Sequence, residues 1–164
     1  MASRKTPTPS SAAPAAEDWL RLDLQLCFAL YASSLAMTKL YKPLLAPLGL
    51  TYPQYLVMLV LWETDAISVS TLGQRLSLDS GTLTPLLKRL ELAQMITRRR
   101  ASDDERRVDL LLTATGRAVK QQALSIPPAL ACASACSPSE LISLTRRLHE
   151  LREQLSAAIS SSSP

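Results

Sequence analysis

The sequence predicts a mainly α protein carrying one small β-hairpin wing, and three observations predict it. The apolar fraction of 47% is built mostly from Leu and Ala, with a single Phe, a composition that suits helices better than strands. Between Thr71 and Leu112, two short helical units flank a tight turn. Leu72 and Leu76 lie four apart, Ser77-Leu78-Asp79 reads as the turn, and Leu83, Leu86, Leu87 and Leu90 recur at i, i+3, i+4 and i+7. Downstream, Met95–Arg100 and Arg107–Leu112 read as two strands joined by the charged loop 101–106. Helix, turn, helix and charged hairpin together make a winged helix-turn-helix.

Taken in order, residues 1–16 are rich in Ala, Ser, Pro and Thr without periodicity and read as a disordered tail. A first helix is expected from Glu17-Asp18 to about Tyr41, broken by Pro43 and Pro47, with a turn at Gly49. It is apolar nearly all round, so helices downstream or a second chain must cover it. Thr51-Tyr52-Pro53-Gln54 opens the next helix, which buries Tyr55, Val57, Met58, Leu61 and Trp62 and ends between Glu63 and Asp65. Ile67-Ser68-Val69 alternates like a short strand. After the hairpin, Thr113 caps a helix expected to reach Pro127-Pro128. Ser137-Pro138-Ser139-Glu140 is a capping box that starts the last helix. There Leu141, Leu144, Leu148, Leu151, Leu155 and Ile159 form a heptad-like seam. Two helices this apolar point to a homodimer built from the first and last helices; the alternative is packing within one protomer.

The net charge of +4, from 18 basic and 14 acidic residues, is modest, so a nucleic-acid surface requires clustering. From Leu86 to Arg107 there are seven basic residues against four acids. Opposite the leucines, Gly81, Thr84, Pro85 and Lys88, flanked by Thr82 and Arg89, form a small, hydroxylated, basic face, with Asp79 and Ser80 as candidate caps. An ordinary solvated helix and hairpin would also fit these residues. Three cysteines without a secretory segment read as cytosolic thiols, so the chain is expected to be cytoplasmic. The uncharged run Leu24 to Thr38, which contains Gln25, Ser33 and Ser34, is short of a membrane span. His149, the single histidine, lies among charged residues on the last helix, and Cys132 and Cys136 lack two further ligands at a useful spacing. With no glycine-rich phosphate loop either, neither metal, cofactor nor enzymatic activity is expected.

The order of elements, the wing string Asp104-Glu105-Arg106 and the Leu112-Thr-x-x-Gly116 string resemble the MarR family of dimeric bacterial repressors. Leu24-Gln-Leu-Cys-Phe-Ala-Leu-Tyr31 and Leu78-Asp-Ser-Gly-Thr-Leu-Thr-Pro-Leu-Leu-Lys88 are similar to its organic-hydroperoxide-sensing branch, OhrR, and the resemblance covers about Asp18 to Ile159. It implies that Cys27 is the peroxide sensor, that Tyr41 and Tyr52 hydrogen-bond the sensor sulfur, and that Tyr31 lines the pocket. It also implies that Cys132, the better match, or Cys136, one turn on, resolves the oxidised sensor of the other subunit. The chemistry suits these residue types: a thiolate attacks a peroxide oxygen, and the sulfenic acid formed condenses with a second thiol. Tyrosine hydroxyls favour the thiolate, whereas Asp23, a turn before Cys27, would oppose it. A buried, inert cysteine is the alternative.

The resulting expectation is a repressor of double-stranded operator DNA, released when an organic hydroperoxide oxidises Cys27. Ser80, Thr82, Thr84, Lys88 and Arg89 should face the major groove, with hydroxyls and first-turn amides also meeting phosphate. Arg98, Arg99 and Arg100 should hold the backbone, and Arg106, positioned by Asp104, should reach the minor groove. The organisation expected is a tail (1–16), an N-terminal dimerisation and sensor helix (17–50), a winged helix-turn-helix domain (51–112), C-terminal dimerisation helices (113–160) and a tail (161–164). Alternatives are a MarR-type repressor responding to a small aromatic ligand and, in a different class, a thiol peroxidase.

Overall fold

Leu26–Leu45 forms the first helix, α1, of a computed structural model that describes residues 19–100 and 107–161. It is followed by α2 (Tyr52–Glu63), β1 (Ile67–Ser68), α3 (Val69–Leu76), α4 (Ser80–Leu92), β2 (Ile96–Arg100) and β3 (Val108–Leu112). The chain continues through α5 (Ala114–Ala123), α6 (Ile126–Ser134) and α7 (Pro138–Ser161). The sheet is antiparallel with order β1-β3-β2, Ile67 pairing with Leu110 and Ile96 with Leu112. Helix, turn, helix and hairpin are thus as expected.

Local chemistry sets the boundaries. The Thr51 N–H and hydroxyl both donate to Gln54 Oε1 at the start of α2. Ser68 caps α3 by accepting from Thr71 N–H at 3.0 Å, and Asp79 caps α4. Ser77, in the left-handed region at φ 54°, ends α3 and turns the chain into α4. Thr113 caps α5, and Ser137 with Glu140 forms the reciprocal box before α7.

Two expectations fail at prolines. Helix α1 begins at Leu26, after a 3-10 turn at Leu22–Leu24, and runs through Pro43 to Leu45. Pro43 lies in the last turn, where its fixed φ is helical and only one backbone bond is forfeited. Helix α5 stops at Ala123, and Pro127-Pro128 open α6 instead of closing α5. In a first turn proline loses nothing, because those N–H groups have no intrahelical partner.

The chain divides into two units, residues 1–38 and 39–164, with the boundary inside α1. In the first unit no described residue is buried, and Trp19, Leu22, Leu24, Leu26, Phe28, Tyr31 and Leu35 are exposed. The second unit holds a core running from Leu45 to Ile126. Leu45, Met58, Leu61, Leu72, Leu83, Leu87, Leu90, Ile96 and Leu110 are its most deeply buried side chains. Three of the four leucines of the α4 pattern are in it, and Leu86 is half-buried. Helix α7 contributes nothing to that core; Leu144, Leu148, Leu155 and Ile159 of its seam are exposed on the protomer.

The Leu112-Thr-x-x-Gly116 string has a packing explanation. Leu112 is buried and Thr113 caps α5 while bonding Gln94 O at 2.6 Å. A Cβ on Gly116 would lie 2.0 Å from the Met95 carbonyl oxygen. Only glycine lets α5 start this close to the chain entering β2.

Candidate functional site

Helix α4 presents its N-terminal half outward. The Asp79 carboxylate accepts from the Thr82 N–H and the Thr82 hydroxyl, each at 2.8 Å, and Thr84 Oγ1 donates to Ser80 O at 2.7 Å. Those bonds hold the Asp79 carboxyl below the usual carboxylate range. They also occupy the Thr82 amide. With their hydroxyl protons donated, Thr82 and Thr84 are exposed and retain hydroxyl acceptor capacity. Ser80, Lys88 and Arg89 are exposed beside them.

On the hairpin, the expected arginines divide. Arg99 and Arg100 are exposed. Arg98 is turned toward α4, its Nε 3.2 Å from Glu91 Oε2. Arg107 Nε lies 3.2 Å from Asp109 Oδ1. Asp104 and Arg106 lie outside the described residues. A groove lined by residues such as Ser70, Gln74, Thr84, Leu87, Arg98 and Val108 runs between α3, α4 and the hairpin.

The base of the hairpin is fastened by a group that sequence reading missed. Asp65 Oδ1 accepts from Leu112 N–H at 2.9 Å, and Arg117 bonds both Asp65 Oδ2 (2.7 Å) and Leu112 O (2.8 Å). Burial works against ionisation of Asp65, but the Leu112 and Ala66 N–H groups and Arg117 outweigh it and leave its carboxyl below the ordinary value. Beside it, the buried Trp62 indole donates to Gly116 O at 2.9 Å, and Lys120 Nζ donates to Trp62 O at 2.8 Å. Residues separated by about fifty positions carry no local pattern that pairs them in advance.

Of the thiol-site residues, Cys27 and Tyr31 belong to the first unit, and both are exposed near the start of α1. Asp23, the expected opponent of a thiolate, is bonded by Arg21 at 2.9 and 3.3 Å and held below its usual pKa by that bond. In the second unit Tyr41 and Tyr52 are brought together, ring centroids 4.6 Å apart, and Tyr55 joins them at 5.8 Å from Tyr41. Tyr55, three residues after Tyr52 on α2, is a member that the sequence reading had assigned only to the core. Burial, with the neighbouring phenols adding to it, pushes Tyr41 up to about 12, and burial also raises Tyr52 and Tyr55. Paired phenols that resist ionisation are standing hydrogen-bond donors. Cys132 is exposed on α6; Cys136, half-buried, follows the left-handed Ala135, its Sγ 3.5 Å from Ser134 O. All three cysteines are free thiols. No single helix among the described residues is long and apolar enough to cross a membrane.

Comparison with known proteins gives related chains along most of this length. The family described as transcriptional regulator SarA/Rot matches residues 39–123. An organic hydroperoxide resistance transcriptional regulator of Bacillus subtilis is 49% identical over 138 residues, 84% of this chain and 94% of that protein. AbfR of Staphylococcus epidermidis has been solved in several states. Its reduced, DNA-bound structure has a TM-score of 0.71 at 35% identity, covering 88% of this chain and 99% of that one. Its disulfide form has a TM-score of 0.58 at 37% identity, covering 82% and 95%. MarR of E. coli is similar at a TM-score of 0.62 and 25% identity, over 77% of this chain and 96% of that one.

Proposed function

This chain belongs to the MarR family of winged-helix transcriptional regulators and is a redox-sensing, DNA-binding repressor; we propose that it senses organic hydroperoxides through Cys27. The Tyr41–Tyr52 pair carries this reading. Two phenols in ring contact, one with its pKa pushed to about 12, are suited to donating to an anionic sulfur. The tyrosine pair of one protomer serves the thiol of its partner, in a homodimer that covers the apolar face of α1 and the α7 seam.

The Cys27 thiolate attacks the peroxide: a sulfur–oxygen bond forms, the oxygen–oxygen bond breaks, and the leaving alkoxide takes a proton to become an alcohol. The sulfenic acid then condenses with the partner's Cys132 thiol, giving a disulfide and water. Exposed Leu24 and Phe28 beside Cys27 suit an organic tail. The disulfide requires Cα atoms within about 7 Å. Where the thiols begin farther apart, closing it moves α1 and α6 and takes the two α4 helices out of register with the operator.

The test uses a duplex enriched from a randomised pool by the reduced protein. Reduced wild type should bind it, and one equivalent of cumene hydroperoxide should release it with a covalent dimer on a non-reducing gel. Cys27→Ser should stay bound under peroxide, and Cys132→Ser should lose the covalent dimer. Peroxide-induced release from Cys27→Ser would remove the sensor assignment.

A further inference from the structure

We infer that Arg98 is a positioning residue for DNA recognition: paired with Glu91, it sets the rotation of α4 against the hairpin and leaves DNA contact to its neighbours. The inference rests on α4 and the hairpin being the DNA-binding surface.

Strand register separates Arg98 from the other arginines of β2. Side chains alternate along a strand, so Ile96 and Arg98 share one face while Thr97 and Arg99 share the other. Ile96 is buried, and Arg98 stands opposite the fully buried Leu110 of β3, so this face is the one toward the core. Arg99 stands opposite Asp109 on the outer face. The Arg98 head then meets Glu91 in the last turns of α4, at 3.2 Å. Its Nε is buried, and no acceptor is aligned with its proton; the contact is an ion pair held by charge.

Helix geometry gives Glu91 its leverage. Seven residues advance a helix by about 700°, so Glu91 lies within about 20° of the stripe that carries Thr84, with Leu87 and Lys88 between them. Toward its N-terminal half, α4 is separated from the hairpin by the groove containing Thr84, Leu87 and Val108. Tying Glu91 to β2 fixes the angle at which the Thr84–Lys88 stripe points. With the side chains 29% and 43% exposed, such a pair contributes little to stability. Its effect is on orientation.

The experiment compares Arg98→Met, Glu91→Gln, the exchange Glu91→Arg with Arg98→Glu, and Arg99→Ala on the duplex enriched by reduced wild type, over a range of salt. Glu91→Gln is the sign test. It removes a negative charge from a DNA-binding lobe, which by electrostatics alone strengthens binding; the positioning role predicts binding weaker by about tenfold, the cost of a misplaced base contact. Arg98→Met should weaken it similarly with an unchanged salt slope, and the charge exchange should recover most of the loss. Arg99→Ala should lower the slope by roughly one, as a phosphate contact does. Melting temperatures should stay at the wild-type value. Glu91→Gln binding as tightly as wild type, or a slope reduced by about one in Arg98→Met, overturns the inference while leaving the DNA-binding surface in place. If reduced wild type enriches no duplex, the surface assignment falls, and the inference with it.

Discussion

Asp65 and Arg117 meet at 2.7 Å and together hold both backbone groups of Leu112, the carboxylate taking its N–H and the guanidinium its carbonyl. The last residue of the wing is thus pinned to the end of α2 and the start of α5. Replacing Asp65 by Ala strands the Leu112 amide and should cost about 1–3 kcal/mol in urea unfolding. Because the Asp65 carboxyl is below its ordinary value in the folded chain, its contribution is present above the unfolded value near 3.8 and is lost as pH falls through the lower folded one. The variant should accordingly show a weaker acid dependence below pH 4. Unfolding curves that superimpose on wild type at every pH would show that the clamp is idle.

Gly116 should tolerate no side chain. A Cβ there meets the Met95 carbonyl oxygen at 2.0 Å, a contact with backbone that can be relieved only by moving α5 off β2. Gly116→Ala should destabilise by about 3 kcal/mol, the upper end of ordinary overpacking, in thermal or urea melts. A change under half a kcal/mol would mean that the α5 start is easily displaced.

Tyr41 gives a titration with a definite order. A tyrosine ordinarily ionises near 10, and Tyr41 is raised to about 12, so absorbance at 295 nm should show a late step. Since the folded value exceeds the unfolded one, the folded state holds the proton longer. Stability from this group is complete below pH 10 and is lost as pH climbs toward 12. Tyr41→Phe should delete the late step. Absorbance that is already complete near pH 10, with no late step for Tyr41 to lose, would contradict the stacked arrangement.

The α7 seam should decide the oligomeric state. Leu144 and Leu148 are exposed on the protomer, and aspartate at both puts charge where two copies would meet. Sedimentation should give a monomer with its far-ultraviolet helix signal largely retained, because no α7 residue belongs to the core. A double variant that remains a dimer and binds DNA would place the interface elsewhere.

Much of this was legible in the residues. Caps at Asp79, Thr113 and Ser137–Glu140 announce themselves because an acceptor side chain before an apolar run has few other uses, and the α4 leucines name their own buried face. Proline misleads because its meaning is positional: Pro43 in a last turn and Pro127-Pro128 in a first turn sit where helices accept them, so α1 runs past its expected end at Tyr41 and α6 was unseen. The inward turn of Arg98 was hidden by charge, since an arginine in a basic run suggests solvent, although its alternation with Ile96 places it on the core side. Tyr55 and the Asp65–Arg117 clamp depend on which distant elements pack together, and a single strand of sequence does not state that.

Trp62 is held at both ends of its residue, the indole N–H on Gly116 O and the carbonyl on Lys120 Nζ, with the Tyr55 ring centroid 6.1 Å away. Trp19, the second tryptophan, is exposed. The protein therefore carries its own optical gauge. Emission from Trp62 should be blue-shifted and fed in part by light absorbed at Tyr55, while Trp19 should emit toward the red, water-exposed end and be quenched by iodide. A movement of α5 relative to α2 should change the colour of the Trp62 emission, which gives a way to follow docking on DNA and release from it without attaching a label.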